Sequence, residues 1–193
     1  SPAYHLSVCH PEEIPEEIIR RINQAVSGHD IVIVELGGTV GEHQNIMFFE
    51  AIRRLKIRKP EATLLIHVAY LPLPKSLGEL KSKPLQQSIH ELNTLGLRPD
   101  FVVARAEKSI DQKRREKIAF AASLEPDDII SNPDVSSIYE VPLILDNQGL
   151  TAKILKKLKL SVGKKDLREW GKMVEGIKTT RKPVKVGIVA KYI

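Results

Sequence analysis

The chain has 193 residues, 42% of them hydrophobic, enough for one well-filled α/β domain and at most a small appendage. No apolar run approaches the roughly 20 residues of a membrane-spanning helix, and the start, Ser1-Pro-Ala-Tyr-His5, has no charged region followed by an apolar stretch. Nothing here suggests a membrane protein, and the single cysteine, Cys9, excludes an internal disulfide and fits a reducing compartment such as a cytoplasm, its plain role being that of a small apolar filler.

The net charge of +6 is unevenly spread. From Lys153 to Ile193 there are 13 basic residues against 3 acidic, a net of +10, which leaves 17 basic and 21 acidic, a net of −4, before it. The body is mildly acidic. The basic stretch holds two aromatics, Trp170 and Tyr192, too few to stack on bases, so it reads as a solvated helix plus linker before it reads as a nucleic-acid arm.

In chain order, Tyr4 to Cys9 form a short strand candidate, and Pro11 opens a helical pattern in which Ile14, Ile18, Ile22 and Val26 recur at four-residue spacing. Glu12, Glu13, Glu16 and Glu17 suit the positive end of that helix, and Gly28 stops it. Ile31-Val-Ile-Val-Glu-Leu36 is β-branched and uninterrupted, the pattern of a strand buried on both faces of a parallel sheet. Three glycines in five residues follow, then a helix over 45–57 carried by Ile46, Phe49, Ile52 and Leu55. A strand over 62–71, closed by Pro72 and Pro74, leads to a polar loop that turns into a helix at Pro84 and ends at Gly96. Strands are expected over 100–105 and 128–132, with a charged helix over 111–122 between them. Residues 150–160 read as a lysine-rich helix, 161–183 as a tether, and 184–190 as a further strand. Alternating strand and helix implies α/β architecture with a parallel, doubly wound sheet.

Three polar clusters fall where ligands gather in such sheets, outside the carboxyl ends of the strands. Glu35 and Glu42 flank Gly37, Gly38 and Gly41, which suits Mg²⁺ and the phosphates it carries, because Mg²⁺ takes few protein carboxylates; a structural turn with an exposed glutamate is the equal alternative. Lys81 and Lys83 precede the helix begun by Pro84, and two ammonium groups with a helix N-terminus make an anion site within reach of Gln86, unless the lysines are simply solvated. Arg105 at a strand end with Lys117 on the next helix is the third, and alone it reads as a solvated face. His67 fits a hydrogen-bonded buried histidine better than a ligand, and neither His43 nor His90 has metal-binding spacing. The physics therefore points to an α/β domain suited to a nucleoside triphosphate and Mg²⁺, and goes no further.

Five segments sharpen this: Val34-Glu-Leu-Gly-Gly-Thr-Val-Gly41, Phe49-Glu-Ala-Ile-Arg53, Gly78-Glu-Leu-Lys-Ser-Lys-Pro84, Leu95-Gly-Leu-Arg-Pro-Asp100 and Ser137-Ile-Tyr-Glu-Val-Pro142. In order and spacing they resemble the synthetase (amidoligase) domain of the CTP synthase family over nearly the whole chain. The resemblance implies a fold related to P-loop NTPases and dethiobiotin synthetase. It also implies a reaction in which ATP phosphorylates O4 of UTP and ammonia, drawn from glutamine, displaces the phosphate to give CTP.

Carried over by residue, the resemblance makes Glu35 the Mg²⁺ carboxylate. Lys81, Ser82, Lys83, Pro84, Leu85 and Gln86, with Lys117, become the UTP or CTP contacts, and Pro133, Asp134 and Val135 the segment beside the ATP base. Glu42, His43 and Gln44 stand where the family usually has Asp-Ile-Glu, a stretch that contacts the inhibitor CTP, and the departure bears on that inhibition. Ser82 and Leu85 replace two threonines, and Pro133 replaces a lysine. The family's glycine-rich phosphate loop and second Mg²⁺ aspartate would precede residue 1, and its glutaminase domain would begin near Val184. The expected organisation is the latter part of the ligase domain over 1–160, a linker over 161–183 and a first glutaminase strand over 184–193. Family precedent implies a cytoplasmic homotetramer. The rival reading is a non-catalytic nucleotide-binding or assembly module on the same fold.

Overall fold

The computed structural model describes residues 12–74, 78–161, 163, 165–179 and 183–191. The strand candidate at Tyr4 to Cys9 lies outside the described residues. The ordered elements are α1 (Glu13–Val26), α2 (Ile46–Arg58), β1 (Ile66–Leu71), α3 (Lys83–Thr94), β2 (Phe101–Ala106), α4 (Gln112–Ala122), β3 (Ile129–Pro133), α5 (Val141–Asn147), α6 (Leu150–Lys157) and α7 (Arg168–Thr179).

The sheet is parallel, in the order β1-β2-β3, with Ile66 opposite Phe101 and Val102 opposite Ile129. Each crossover carries one helix, α3 and then α4, and both cover the same face. Alternation along the strands sends Leu71, Val102, Ala104, Ala106 and Ile129 to that face, where Leu85 and Ile89 of α3 and Ile118, Ala119 and Ala122 of α4 close the main core. The opposite face presents Phe101, Val103 and Ile130 to Leu145, Leu150 and Ile154 of α5 and α6. Helices on both faces of a parallel sheet are the doubly wound arrangement that alternation implies. β2 is central and buried at five of its six positions.

Two expectations fail, for one physical reason. Residues 31–36 form no strand, and Ile31, Ile33 and Val34 are exposed, Ile33 at 92%. Residues 184–190 likewise form no strand, with Val189 fully exposed. A strand is a pairing, and among the described residues neither stretch has a ladder partner; β-branched composition cannot supply one. The free edge and open face of β1 tell the same story, with Ile66, Val68 and Tyr70 exposed.

A third expectation fails in the other direction. Residues 161–183 are not a plain tether, because α7 forms within them, buries Val174, and sets the Trp170 indole N–H 2.8 Å from the Tyr139 carbonyl oxygen. The two rings also meet, with centroids 6.0 Å apart, and Lys178 pairs with Glu140 at 2.7 Å.

Candidate nucleotide site

The glycine turn is built by its own side chains. Glu42 Oε1 accepts from the Thr39 amide at 3.1 Å and its hydroxyl at 2.7 Å, and Asn45 Nδ2 donates to the Gly37 carbonyl at 2.8 Å. Gly38 has φ +83°, which favours glycine, and a Cβ there would fall 2.5 Å from Asn45 Nδ2 and 2.6 Å from Glu42 Oε2, displacing the two side chains that hold the turn. The Thr39 hydroxyl, then its amide, holds the Glu42 carboxyl below the usual carboxylate range. Turn and α2 enclose a cleft of about 440 Å³ lined by Glu35, Gly37, Gly38, Glu42, Gln44 and Phe48. His43, in the short 3-10 turn ahead of α2, is not part of its lining.

Glu35 is exposed and makes no hydrogen bond or ion pair among the described residues, whereas Glu42 is committed to Thr39. One free carboxylate fits Mg²⁺, which keeps its waters and draws further oxygens from substrate phosphates. No group of three or more histidine, cysteine, aspartate or glutamate residues able to hold a metal unaided occurs among the described residues.

The lysine loop is held by its backbone at several points. The Lys81 amide donates to the Pro72 carbonyl at 2.9 Å, Arg114 Nε donates to the Leu80 carbonyl at 2.7 Å, and Lys108 Nζ reaches the Gly78 carbonyl at 3.4 Å. Leu80 itself is buried in the main core. Lys83 opens α3 with Pro84 in its first turn, so both lysines stand at the end of the helix where unsatisfied amides favour an anion. Lys83 has no ion pair among the described residues. Ser82 and Gln86 bond each other at 2.9 Å. The Leu85 side chain is wholly buried against the sheet, where the hydrophobic stripe of α3 puts it, so only its backbone faces the expected contacts.

The sequence clusters do not all converge. Arg105 shares a sheet face with Phe101 and Val103, whereas Lys117 lies on α4, which covers the other face, so their expected pairing is lost. Lys117 instead stands one turn after Arg114, the residue that grips the lysine loop. Arg105 sits opposite Asn132 in register, beside Asp134, whose amide donates to the Ala106 carbonyl at 2.8 Å. Pro133 closes β3, Val135 is half-buried, and Asn132 Oδ1 is buried with no hydrogen-bond partner among the described residues. The glycine turn meets α3 near its far end: a Cβ at Gly41 would lie 3.8 Å from Glu91 Oε2, roughly 12 Å along the helix from Lys83 at 1.5 Å per residue.

Residues 7–160 match the family model described as CTP synthase N-terminus. The chain belongs to the CTP synthase family. It is 41% identical over 181 residues to the CTP synthase of Pyrococcus horikoshii, covering 93% of this chain and 34% of that protein. The CTP synthase of Bdellovibrio bacteriovorus is 43% identical over 181 residues, with the same coverage of 93% and 34%. That of Sulfurisphaera tokodaii is 44% identical over 164 residues, 84% of this chain and 31% of that protein. The chain thus spans about a third of the length of the curated relatives it matches. No helix among the described residues is long and apolar enough to cross a membrane.

Three contributors to the site escaped the sequence. Thr39 and Asn45 build the glycine turn, and Arg114 holds the lysine loop from 34 residues away. Asn45 and Thr39 had a local signal, the short polar side chains that favour turns. Arg114 had none, since nothing in a charged helix marks which arginine faces a loop carbonyl.

Proposed function

We propose that this chain supplies part of the ligase site of a CTP synthase, which aminates UTP to CTP. In the proposed reaction UTP O4 attacks the γ-phosphorus of ATP, releasing ADP and forming 4-phosphoryl-UTP. Ammonia from glutamine then attacks C4, the C4–O bond breaks, and CTP and inorganic phosphate leave. Mg²⁺, when bound, would be held by Glu35 and would offset triphosphate charge. Lys81 and Lys83, with Lys117 nearby on α4, take the pyrimidine nucleotide's phosphates. Asp134 and Val135, after Pro133 and next to Arg105, take the ATP base.

The observation that supports this best is the lysine loop, pinned by its backbone so that Lys81 and Lys83 stand at the start of α3. In this reading residues 1–160 are ligase domain, 161–183 a linker that includes α7, and 184–193 the start of a glutaminase. The protein works in the cytoplasm as a homotetramer. The chain spans about a third of the curated CTP synthases it matches, so by itself it should not turn over.

The test is calorimetric titration of UTP into the chain with Mg²⁺, in parent and Lys81→Ala forms. Lysine-dependent heat is the expected result, and identical isotherms would sink the assignment. The second reading, an assembly module without nucleotide binding, is favoured by the Glu42-His43-Gln44 stretch, and such a module would give no lysine-dependent heat.

A further inference from the structure

Glu79 stands two residues before Lys81 in the loop, and its carboxylate straddles two cations. Oε1 lies 2.5 Å from Lys81 Nζ, and Oε2 lies 3.2 Å from Arg114 Nη2. The two cations differ in freedom. Arg114 is held by the Leu80 carbonyl through Nε and by Asp111 through Nη1, and only 20% of its side chain is exposed. Lys81 has Glu79 as its one side-chain partner among the described residues, and 37% of its side chain is exposed. The carboxylate is itself 56% exposed, so water and ligand both reach it.

We propose that Glu79 is an internal counter-ion of the nucleotide site: it occupies Lys81 in the empty loop and passes to Arg114 when a triphosphate takes the lysine. This rests on reading the loop as the triphosphate site, and it adds a residue that sets the affinity of that site. A move from Lys81 to Arg114 needs only side-chain rotation, because Oε2 already touches the second cation. The backbone stays in place throughout: the anchors at Pro72 and Lys108 do not touch the Glu79 side chain, and Arg114 holds the Leu80 carbonyl through Nε and Asp111 through Nη1, not through the Nη2 that Glu79 reaches.

An exposed ion pair of this kind is worth a factor of about 1.4 to 5 in equilibrium. A triphosphate, with several charges and an α3 N-terminus to meet, overcomes such a factor. The same factor makes the empty site weaker than its lysines alone would be. The ammonium left without ligand is meanwhile neutralised rather than open to any passing anion. The proximity of Lys81 accounts for most of the lowering of the Glu79 carboxyl below its ordinary range, with Arg114 adding less, in keeping with which cation the carboxylate now prefers.

The experiment is UTP titration by calorimetry at fixed Mg²⁺ and ionic strength on the chain and on E79Q, K81A and E79Q/K81A. Circular dichroism and thermal melts confirm folding for each; Glu79 is exposed, and Arg114 keeps Asp111 and the Leu80 carbonyl as partners without it. Tightening of UTP by about 1.4- to 5-fold in E79Q is expected, with no tightening when E79Q is added to K81A, a non-additivity that isolates the pair. Unchanged or weaker binding in E79Q, with K81A still weakening UTP, overturns the counter-ion and leaves the site reading intact. Equal tightening on both backgrounds also overturns it, since it would reveal a long-range charge effect rather than the Lys81 contact. No effect of K81A, or no UTP binding by the parent chain, removes the site reading and this inference with it.

Discussion

Gly38 and His67 show how much a single residue can commit. At Gly38 an alanine would add strain from φ +83° and a clash with Asn45 and Glu42, both of which hold the turn. Gly38→Ala is expected to cost about 1–2 kcal/mol, measured as a lower midpoint in urea, and to loosen the Thr39–Glu42 bonds with it. His67 is buried under α3, with Nε2 3.0 Å from Ser88 Oγ, as the sequence led one to expect of a histidine in a strand. Burial pushes its pKa below the ordinary 6.5. The unfolded chain therefore binds a proton that the folded chain resists. Stability due to this group is complete above about pH 6.5 and declines as the pH falls toward the depressed value. His67→Gln, which keeps a polar partner for Ser88, should flatten the loss of stability between pH 7 and 5; equal slopes for both proteins would refute this.

At the level of elements, charge and packing hold the helices in place. Glu16 of α1 takes Arg54 of α2 at 2.8 Å and Arg58 at 2.6 Å. Hydrogen bonds from Arg58, then Arg54, hold its carboxyl at about 2. The pair's contribution is present above the ordinary 4.5 and is lost as the pH falls through about 2, so Glu16→Gln should remove part of the acid sensitivity of the α1–α2 contact, read by hydrogen exchange in α1. The other case is α7. Trp170 is the sole tryptophan, so its fluorescence reports that helix alone. Val174→Asp places a charge in the buried contact. It should move Trp170 emission to the red at temperatures where the sheet's far-ultraviolet signal is intact. Coincident transitions in the variant would mean α7 is not separately docked.

On the scale of the whole molecule, the open face of β1 dominates. Ile66, Val68 and Tyr70 are exposed on β1, whose outer edge has no ladder partner among the described residues, Ile31, Ile33 and Val34 are exposed as well, and such edges recruit other chains. The isolated chain is expected to self-associate with rising concentration in sedimentation velocity, and Val68→Lys to reduce that association. The CTP-forming assay with ATP, Mg²⁺ and ammonium should give no product from the chain alone.

Much of the architecture was legible without coordinates, wherever local pattern and tertiary partner agree. α1, α2 and α3 fall within two residues of their expected bounds, because an apolar stripe at helical spacing needs only one face to bury, and α4 falls within one residue of the charged helix expected over 111–122. β2 and β3 were equally legible, since their partners lie in the same chain. The lysine loop was legible as Pro84 beginning a helix, but that the Leu85 side chain turns to the core was not.

Sequence by itself determined the family, the alternation of strand and helix, the glycine turn over 37–41 and the positions of the two lysines, because these rest on residue identity and near neighbours. Tertiary structure alone decided three other things. It left residues 31–36 without a ladder, turned a supposed tether into α7 against Tyr139, and set Arg114 on the loop that carries Glu79 and Lys81. Each depends on which distant group fills a hydrogen bond or covers an apolar face, and no local pattern encodes that partner.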